Sequence, residues 1–423
     1  MGETLTITGG TPLCGAVDVP AAKNSVLPLL AASVLCEGTV RLRRVPCLSD
    51  VGQCLALLRG LGLEAQQAGH TVTVRPGALR TAALAAAPVG AMRASVLFWA
   101  PVLARAGRVE SGMPGGCRLG PRPVDIHLDG LVHMGAVVKW KSDRLLLEAP
   151  RGLRGTDYTL RFPSVGATET MLMAAATARG ATVLRGAACE PEIVDLAEFL
   201  TACGAHIAGA GTPVVCVSGT AALGGADYTP IPDRIAAATL ACAAACAGGQ
   251  ATLRHCAPQM LVPVWEALRR AGCEVEERRA GEVCVARTGR LAGIGRVFTG
   301  VYPGFPTDAA PLLAAALLCA QGGSSIEDTV FENRFSCAAG FAAMGASVHI
   351  EGRALEIRPA PGLRGAAVCA PDLRGGAALA LAALGAEGTT QIAGLHHIRR
   401  GYEDFSGLLR ELGAKAAEKS ETE

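Results

Sequence analysis

The sequence predicts an α/β fold of the α+β type, in two domains built from six copies of one unit, with helices inside and sheets outside. Three observations carry this. A pattern recurs every 65–75 residues or so, about six times. The first helix of each copy is apolar on nearly every face. The last copy lacks a strand, while an unassigned strand-like run stands at the N-terminus.

Each unit opens with an Ala/Leu-rich helical segment of about 13–15 residues that stops at glycine, the usual helix C-terminal signal. These segments cover residues 23–38, 93–107, 166–180, 235–248, 308–322 and 374–388. A short strand often follows, as in Thr39-Val-Arg-Leu, Ala181-Thr-Val-Leu, Ala251-Thr-Leu-Arg and Thr389-Thr-Gln-Ile. A second helix closes at Leu61-Gly62, Met134-Gly135-Ala136, Cys203-Gly204-Ala205, Ala271-Gly272-Cys273, Met344-Gly345-Ala346 and Leu412-Gly413-Ala414. An alternating hairpin comes last, as at Val72-Thr-Val-Arg, Val214-Val-Cys-Val, Val283-Cys-Val-Ala and Leu355-Glu-Ile-Arg.

The sixth unit ends in a polar tail, residues 415–423, and Glu3-Thr-Leu-Thr-Ile-Thr has the alternation of its missing strand. Two sets of three units then give a domain of residues 21–229 and a discontinuous domain of residues 1–20 and 230–423. The crossings fall near Val19-Pro20 and Thr229-Pro-Ile-Pro232, where proline suits a stiff linker or hinge. A helix apolar all round must be wholly buried. Sheets normally form the middle layer, so buried helices wrapped by sheets are unusual. Small residues let three such helices pack closely.

Composition narrows the function. The 423 residues are 50% hydrophobic and 18% charged, enough core for two or three domains. A net charge of +2, from 39 Lys plus Arg against 37 Asp plus Glu, argues against a nucleic-acid groove and an acidic tail. Only 4% is aromatic, which disfavours base-stacking platforms. The mean hydropathy of +0.34 raises a membrane question. The longest apolar runs, residues 235–247 and 309–320, reach about 13 residues where a span needs about 20. The N-terminus has neither a basic nor an apolar signal region. Gly2 with Thr6 fits the loose myristoylation pattern, but the same residues alternate as a strand, the reading adopted. A soluble, unexported, cytoplasmic protein without a membrane partner is expected.

The 16 cysteines are scattered, with no C-x-x-C, and do not pair with the 8 histidines at zinc spacings, so no metal is expected. Cys36, Cys203, Cys242 and Cys319 lie among Ala, Val and Leu and read as small buried hydrophobes in a reducing compartment.

Lysine is rare: Lys23, Lys139, Lys141, Lys415 and Lys419 are all there are. Lys23 starts an apolar helix, where an N-terminus favours anions. It reads either as a phosphate or carboxylate ligand or as a solvated first-turn lysine. Arg93, Asp308 and Arg374 open equivalent helices, and Asp233 and Arg234 sit just before another. A charged helix start in water explains each alone. Threefold packing would gather them at one end of each domain, so that facing domains would line one cleft. The Gly/Pro-rich segment from Gly112 to His127 interrupts the second unit and reads as a mobile loop. It makes Cys117 the one cysteine expected to be exposed. Arg118 and Arg122 would lower its pKa from about 8.5 and make it reactive.

These residues, with Phe162-Pro-Ser-Val-Gly-Ala-Thr168, Glu190-Pro-Glu-Ile193, Tyr302-Pro-Gly-Phe-Pro-Thr-Asp308, Glu332-Asn-Arg-Phe335 and Arg400-Gly-Tyr-Glu403, resemble the enolpyruvyl transferases that act on UDP-N-acetylglucosamine. The resemblance runs in order along essentially the whole chain. It implies two inside-out α/β barrel domains of three repeats each. It also implies a reaction: phosphoenolpyruvate and UDP-N-acetylglucosamine give the enolpyruvyl ether and phosphate, by addition and elimination through a tetrahedral intermediate, early in peptidoglycan synthesis. Both partners are small molecules, and no cofactor or metal is implied.

The resemblance also assigns residues. Cys117 would serve in proton transfer, hold phosphoenolpyruvate covalently and be alkylated by epoxides of the fosfomycin type. Asp308 would accept the proton of the 3-hydroxyl. Lys23, Arg122 and Arg400 would clamp phosphoenolpyruvate, with Arg93 and Glu190 in support; arginine suits bidentate contact. Asn24, Pro123, Val124, Asp125, Ser164, Val165, Gly166 and Val330 would hold the nucleotide sugar. Arg334, Asp372 and Arg374 complete the substrate-binding set. Two departures stand out. The family commonly shows Pro-Asp-Arg-Ile-Glu-Thr-Gly where this chain has Pro232-Asp-Arg-Ile-Ala236-Ala-Ala, and Arg118 is often alanine. Neither touches the implied catalytic set. The rival readings are the sister transferase that uses shikimate 3-phosphate and a non-catalytic nucleotide-sugar sensor.

Overall fold

The computed structural model describes residues 3–115 and 124–420. These fall into two compact units, residues 3–20 with 232–420 and residues 21–115 with 124–231, each around its own apolar core. The chain passes between them after Pro20 and after Ile231. Each crossing is pinned inside its own unit. Asp233 N donates to Pro20 O at 2.8 Å in one, and Ala22 N to Ile231 O at 2.8 Å in the other.

Helices form the centre of each unit. In the first unit they are Arg234–Ala247, Ala310–Leu317 and Leu373–Leu384, which pack on one another. Every residue from Ile235 to Ala247 is buried. The second unit uses Lys23–Ala32, Trp99–Ala106 and Val165–Ala176. Several core helices are shorter than the sequence pattern suggests: Lys23–Ala32 stops well before Gly38. The segment Arg93–Phe98 is a 3-10 turn, and Ala310–Leu317 stops well before Gly322. The longest helix has 14 residues, and none among those described is long and apolar enough to cross a membrane.

The second helix of every unit ends in the same way. Gly62, Gly135, Gly204, Gly272, Gly345 and Gly413 all take positive φ, between 91° and 106°. The next residue donates back to a carbonyl five positions earlier, as Cys273 N does to Leu268 O and Ala414 N to Leu409 O, both at 2.9 Å. This left-handed closure satisfies an orphan carbonyl and turns the chain into its hairpin.

Six small sheets wrap the helices: five of four strands and one of three among the described residues. The sequence pattern shows three strands per sheet and misses the fourth. That strand is a short extended run before the core helix, parallel to the strand after it. Asp157–Thr159 lies beside Ala181–Arg185, Gly295–Phe298 beside Ser324–Glu327, and Ala367–Cys369 beside Thr389–Ala393. Parallel pairing needs a crossover, and the buried helix is that crossover. In the three-stranded sheet the fourth position shrinks to one bridge, Ala83 to Glu110. Leu13–Asp18 pairs in parallel with Gly249–Arg254, so residues 21–231 are inserted within a single strand–helix–strand crossover.

The C-terminal segment is not merely a polar tail. Lys415–Ser420 is a strand, antiparallel to Glu3–Thr8, which also pairs with Thr389–Ala393. The sixth hairpin is thus split between the two ends of the chain. Arg399 bridges Glu3 and Glu418 across that join.

A second correction concerns thiols. Cys14, Cys47, Cys216 and Cys369 are exposed, so Cys117 is not the one exposed cysteine. Cys14, Cys216 and Cys369 sit at outward-facing positions of alternating strands. Cys36, Cys203 and Cys242 are buried, Cys319 partly so, and burial pushes the Cys273 thiol up to about 11.

Leu5 and Ile7 are fully buried in the split hairpin. Ile7→Ala should therefore lower the unfolding free energy by about 2–5 kcal/mol in urea denaturation. A loss below about 1 kcal/mol would contradict a core role for the N-terminal strand.

Candidate active site

In the unit of residues 232–420, helix starts carry the polar groups. Asp233 caps Arg234–Ala247, its Oδ1 accepting from Ile235 N and Ala236 N at 2.8 Å. Asp372 caps Leu373–Leu384, its Oδ1 accepting from Arg374 N and Gly375 N at 2.9 Å. Its other oxygen accepts from Ser336 Oγ. Aspartate at this position satisfies N–H groups the helix leaves open. Asp308 sits in the 3-10 turn Thr307–Ala309 that leads into Ala310–Leu317.

Asp308 is gripped by two arginines. Arg374 donates to its Oδ2 through Nη2 at 3.0 Å and Nε at 3.2 Å. Arg334 Nη2 lies 3.2 Å from Oδ1. The arginine side chains are only 7% and 1% exposed. Burial would raise the Asp308 pKa, but the Arg374 and Arg334 charges outweigh it and hold the carboxyl well below the usual carboxylate range. Arg374 Nη1 donates to Tyr402 Oη at 3.2 Å, and Tyr402 Oη lies 2.6 Å from Thr239 Oγ1. Arg334 Nη1 is buried and has no acceptor among the described residues. Val330 N donates to Asp328 Oδ1 at 2.7 Å. Arg400 is half-buried, two residues before Tyr402.

The other unit holds a second set. Lys23 is 8% exposed, and its Nζ lies 2.7 Å from Asp50 Oδ2, in the first turn of Ser49–Leu61. It is a buried ion-paired lysine and not a solvated one. Asn24 beside it is exposed. Ser25 Oγ donates to buried Asp195, which also accepts from Tyr228 Oη at 2.6 Å and from Ile231 N at 3.4 Å. Arg93 Nη1 donates to Pro114 O at 3.3 Å. Gly115 N donates to Val89 O at 3.0 Å. A Cβ on Gly115 would lie 1.8 Å from Gly90 O, so only glycine fits there. Cys117, Arg118, Arg122 and Pro123 lie outside the described residues.

Past that point Val124 is buried and Asp125 pairs with Arg161. Ser164 caps Val165–Ala176, its Oγ accepting from Ala167 N at 3.3 Å. A Cβ at Gly166 would come within 3.0 Å of the His127 ring, whose Nδ1 is 2.8 Å from Thr170 Oγ1. Gly166 is what lets the start of this helix lie against His127. Glu190 precedes the Pro-led helix Pro191–Ala202 and is 9% exposed.

Glu169 was missed from sequence. Burial, then the negative charges of Glu192 and Glu190, push its carboxyl well above the usual range. A signal existed: it is the one charged residue inside Val165–Ala176. Asp50, Asp195, Asp328 and Tyr402 were also missed; Tyr402 lies within the Arg400–Glu403 motif, but its contacts are set across the core.

The two acids have opposite pH consequences. With a lowered folded pKa, Asp308 adds stability that is lost only on acidification below its unfolded range. With a raised folded pKa, Glu169 binds a proton that the unfolded chain releases, so its contribution worsens as pH rises above about 4.5. Glu169→Gln should therefore raise the melting temperature more at pH 8 than at pH 4, by thermal unfolding at both. A gain independent of pH would contradict an uncharged Glu169.

The sequence model of a family described as EPSP synthase (3-phosphoshikimate 1-carboxyvinyltransferase) matches residues 7–409. The chain is 42% identical to UDP-N-acetylglucosamine 1-carboxyvinyltransferase 1 of Symbiobacterium thermophilum, over 97% of this chain and 94% of that one. It is 44% identical to the UDP-N-acetylglucosamine 1-carboxyvinyltransferase of Solidesulfovibrio magneticus, over 97% and 98%. The crystal structure of an enolpyruvyl transferase from Streptomyces tendae matches with a TM-score of 0.90 at 27% identity, over 100% of both chains. An EPSP synthase from Acinetobacter baumannii shares the fold, with a TM-score of 0.75 at 21% identity over 99% of this chain and 100% of that one. The inside-out arrangement of buried helices and outer sheets is therefore that of a known architecture. The chain belongs to the enolpyruvyl transferase family, among the UDP-N-acetylglucosamine 1-carboxyvinyltransferases.

Proposed function

We propose that the protein transfers the enolpyruvyl group of phosphoenolpyruvate to the 3-hydroxyl of UDP-N-acetylglucosamine with release of phosphate, in the cytoplasm, at the first committed step of peptidoglycan synthesis. The observation that carries this reading is the ionised Asp308 between two buried arginines, in a chain over 40% identical to enzymes of that name.

The chemistry follows from what the site must supply. The 3-hydroxyl oxygen bonds to C2 of phosphoenolpyruvate and gives its proton to Asp308, while C3 gains a proton. The tetrahedral adduct then loses a C3 proton, the C2–O bond to phosphate breaks, and the enolpyruvyl ether remains. A carboxylate with so low a pKa is a weak base towards a free alcohol. Its proton transfer must therefore accompany C–O bond formation, when the hydroxyl becomes acidic. Lys23, Arg122 and Arg400 neutralise the phosphate and carboxylate of phosphoenolpyruvate. Cys117 moves the proton at C3 and can hold phosphoenolpyruvate as an adduct. Asn24, residues 123–125, residues 164–166 and Val330 hold the nucleotide sugar, Arg93 and Glu190 support the phosphoenolpyruvate centre, and Asp372 belongs to the substrate-binding set. The buried Nη1 of Arg334 supports a ligand oxygen beside Asp308.

Phosphate release from phosphoenolpyruvate is expected with UDP-N-acetylglucosamine and not with shikimate 3-phosphate. Release only with the latter would transfer the chain to the sister reaction, and release with neither would favour a sensor. Asp308→Asn should lower kcat by about 100- to 10,000-fold, the range for removing a general base. Cys117→Ser should resist inactivation by fosfomycin; inactivation at the wild-type rate would remove Cys117 from its role.

A further inference from the structure

We propose that Asp328 is a positioning residue of the transfer reaction, holding Arg334 and the Asp308 turn in the geometry in which Asp308 accepts the hydroxyl proton. This rests on the reading of Asp308 given above. Asp328 directly follows the strand Ser324–Glu327 and has no exposed surface. A carboxylate buried this fully must be paired and hydrogen-bonded, and its contacts reveal what it holds.

Oδ1 accepts from Val330 N at 2.7 Å and Phe331 N at 2.8 Å, which folds the turn after the strand. Oδ2 accepts from Thr307 Oγ1 and lies 3.4 Å from Arg334 Nε. The same Arg334 Nε donates to Thr307 Oγ1 at 3.0 Å. One carboxylate therefore joins the residue just before Asp308 to the guanidinium that contacts Asp308.

Arg334 sits between two acids, with Asp328 at 3.4 Å and Asp308 at 3.2 Å, and its guanidinium lies over the Phe331 ring at 4.7 Å. The consequence is electrostatic. Without the Asp328 charge, Asp308 would be the only ion partner of Arg334 among the described residues. The buried cation would be drawn onto the oxygen that must receive the proton. Asp328 keeps Arg334 shared, so Asp308 is both charged and able to bond elsewhere.

The experiment uses the full chain and phosphate release with UDP-N-acetylglucosamine as acceptor. Asparagine keeps the shape of Asp328 and an acceptor for the Val330 and Phe331 N–H groups; it removes the charge and puts an NH2 donor where Oδ2 faces Thr307 and Arg334. Asp328→Asn is expected to lower kcat about 10- to 100-fold, as for a misplaced reacting group. The KM for UDP-N-acetylglucosamine should stay within about threefold, a split that general loosening would not give. In an Arg334→Gln background the same substitution should cost less than about threefold, because Asp328 acts through Arg334. Thr307→Val, which cuts the hydroxyl link without touching a charge, should lower kcat in the same direction and covers the case that Asp328→Asn does not fold. Wild-type kcat in both Asp328→Asn and Thr307→Val, or equal losses in both Arg334 backgrounds, would overturn the inference. If Asp308→Asn is inactive while Asp328→Asn and Thr307→Val are both unchanged, only this inference falls. If Asp308→Asn turns over normally, the reading of Asp308 falls and this one with it.

Discussion

The structure depends on one constraint: its central helices are apolar on nearly every face. Such a helix cannot lie at a surface, so sheets must close around it. Alanine-rich sequence such as residues 235–247 lets the helices approach closely. Once the helix sides are committed to the core, their ends are the places left for polar groups. In the unit of residues 232–420 those ends carry Asp233, Arg234, Asp308 and Arg374, and Arg374 closes directly onto Asp308. The position of the charged site is thus a by-product of how the core is built, and rigid helices fix it.

Neighbouring charge gives two carboxyls opposite outcomes. Asp308 meets two guanidiniums within 3.2 Å and stays charged. Glu169 has two other acids for neighbours and favours its protonated form. Desolvation penalises charge in both, and the neighbouring charge decides the outcome. A transferase that handles a diphosphate, a phosphate and a carboxylate needs cations that are not consumed by their own acids. Arg334, divided between Asp308 and Asp328, is not drawn wholly onto the oxygen of Asp308 that must receive a proton.

Much of the fold was legible because it repeats. Six glycines at the ends of second helices share one left-handed geometry, so one reading of the pattern served six times. The place of Glu3–Thr8 followed from its alternation and the absence of a partner strand in the last unit. The parallel edge strands were illegible because runs such as Asp157–Thr159 are three residues long and form only against a distant strand. Lys23 stood out because lysine is rare, yet Asp50, which pairs with it, lies on another helix and no spacing reveals it. Asp328 and Tyr402 lay inside or beside recognisable motifs, but their roles depend on contacts with Thr307, Arg334 and Arg374 across the core.

The central claim is that Asp308 is held as a carboxylate by Arg334 and Arg374. The most direct measurement is a pH titration of carboxyl-carbon NMR signals in protein labelled at aspartate, with Asp308→Asn to assign the signal. The account predicts a signal, absent from the variant, that keeps its ionised shift down to the lowest pH at which the protein stays folded. A midpoint near the ordinary aspartate value of 3.8 would contradict it.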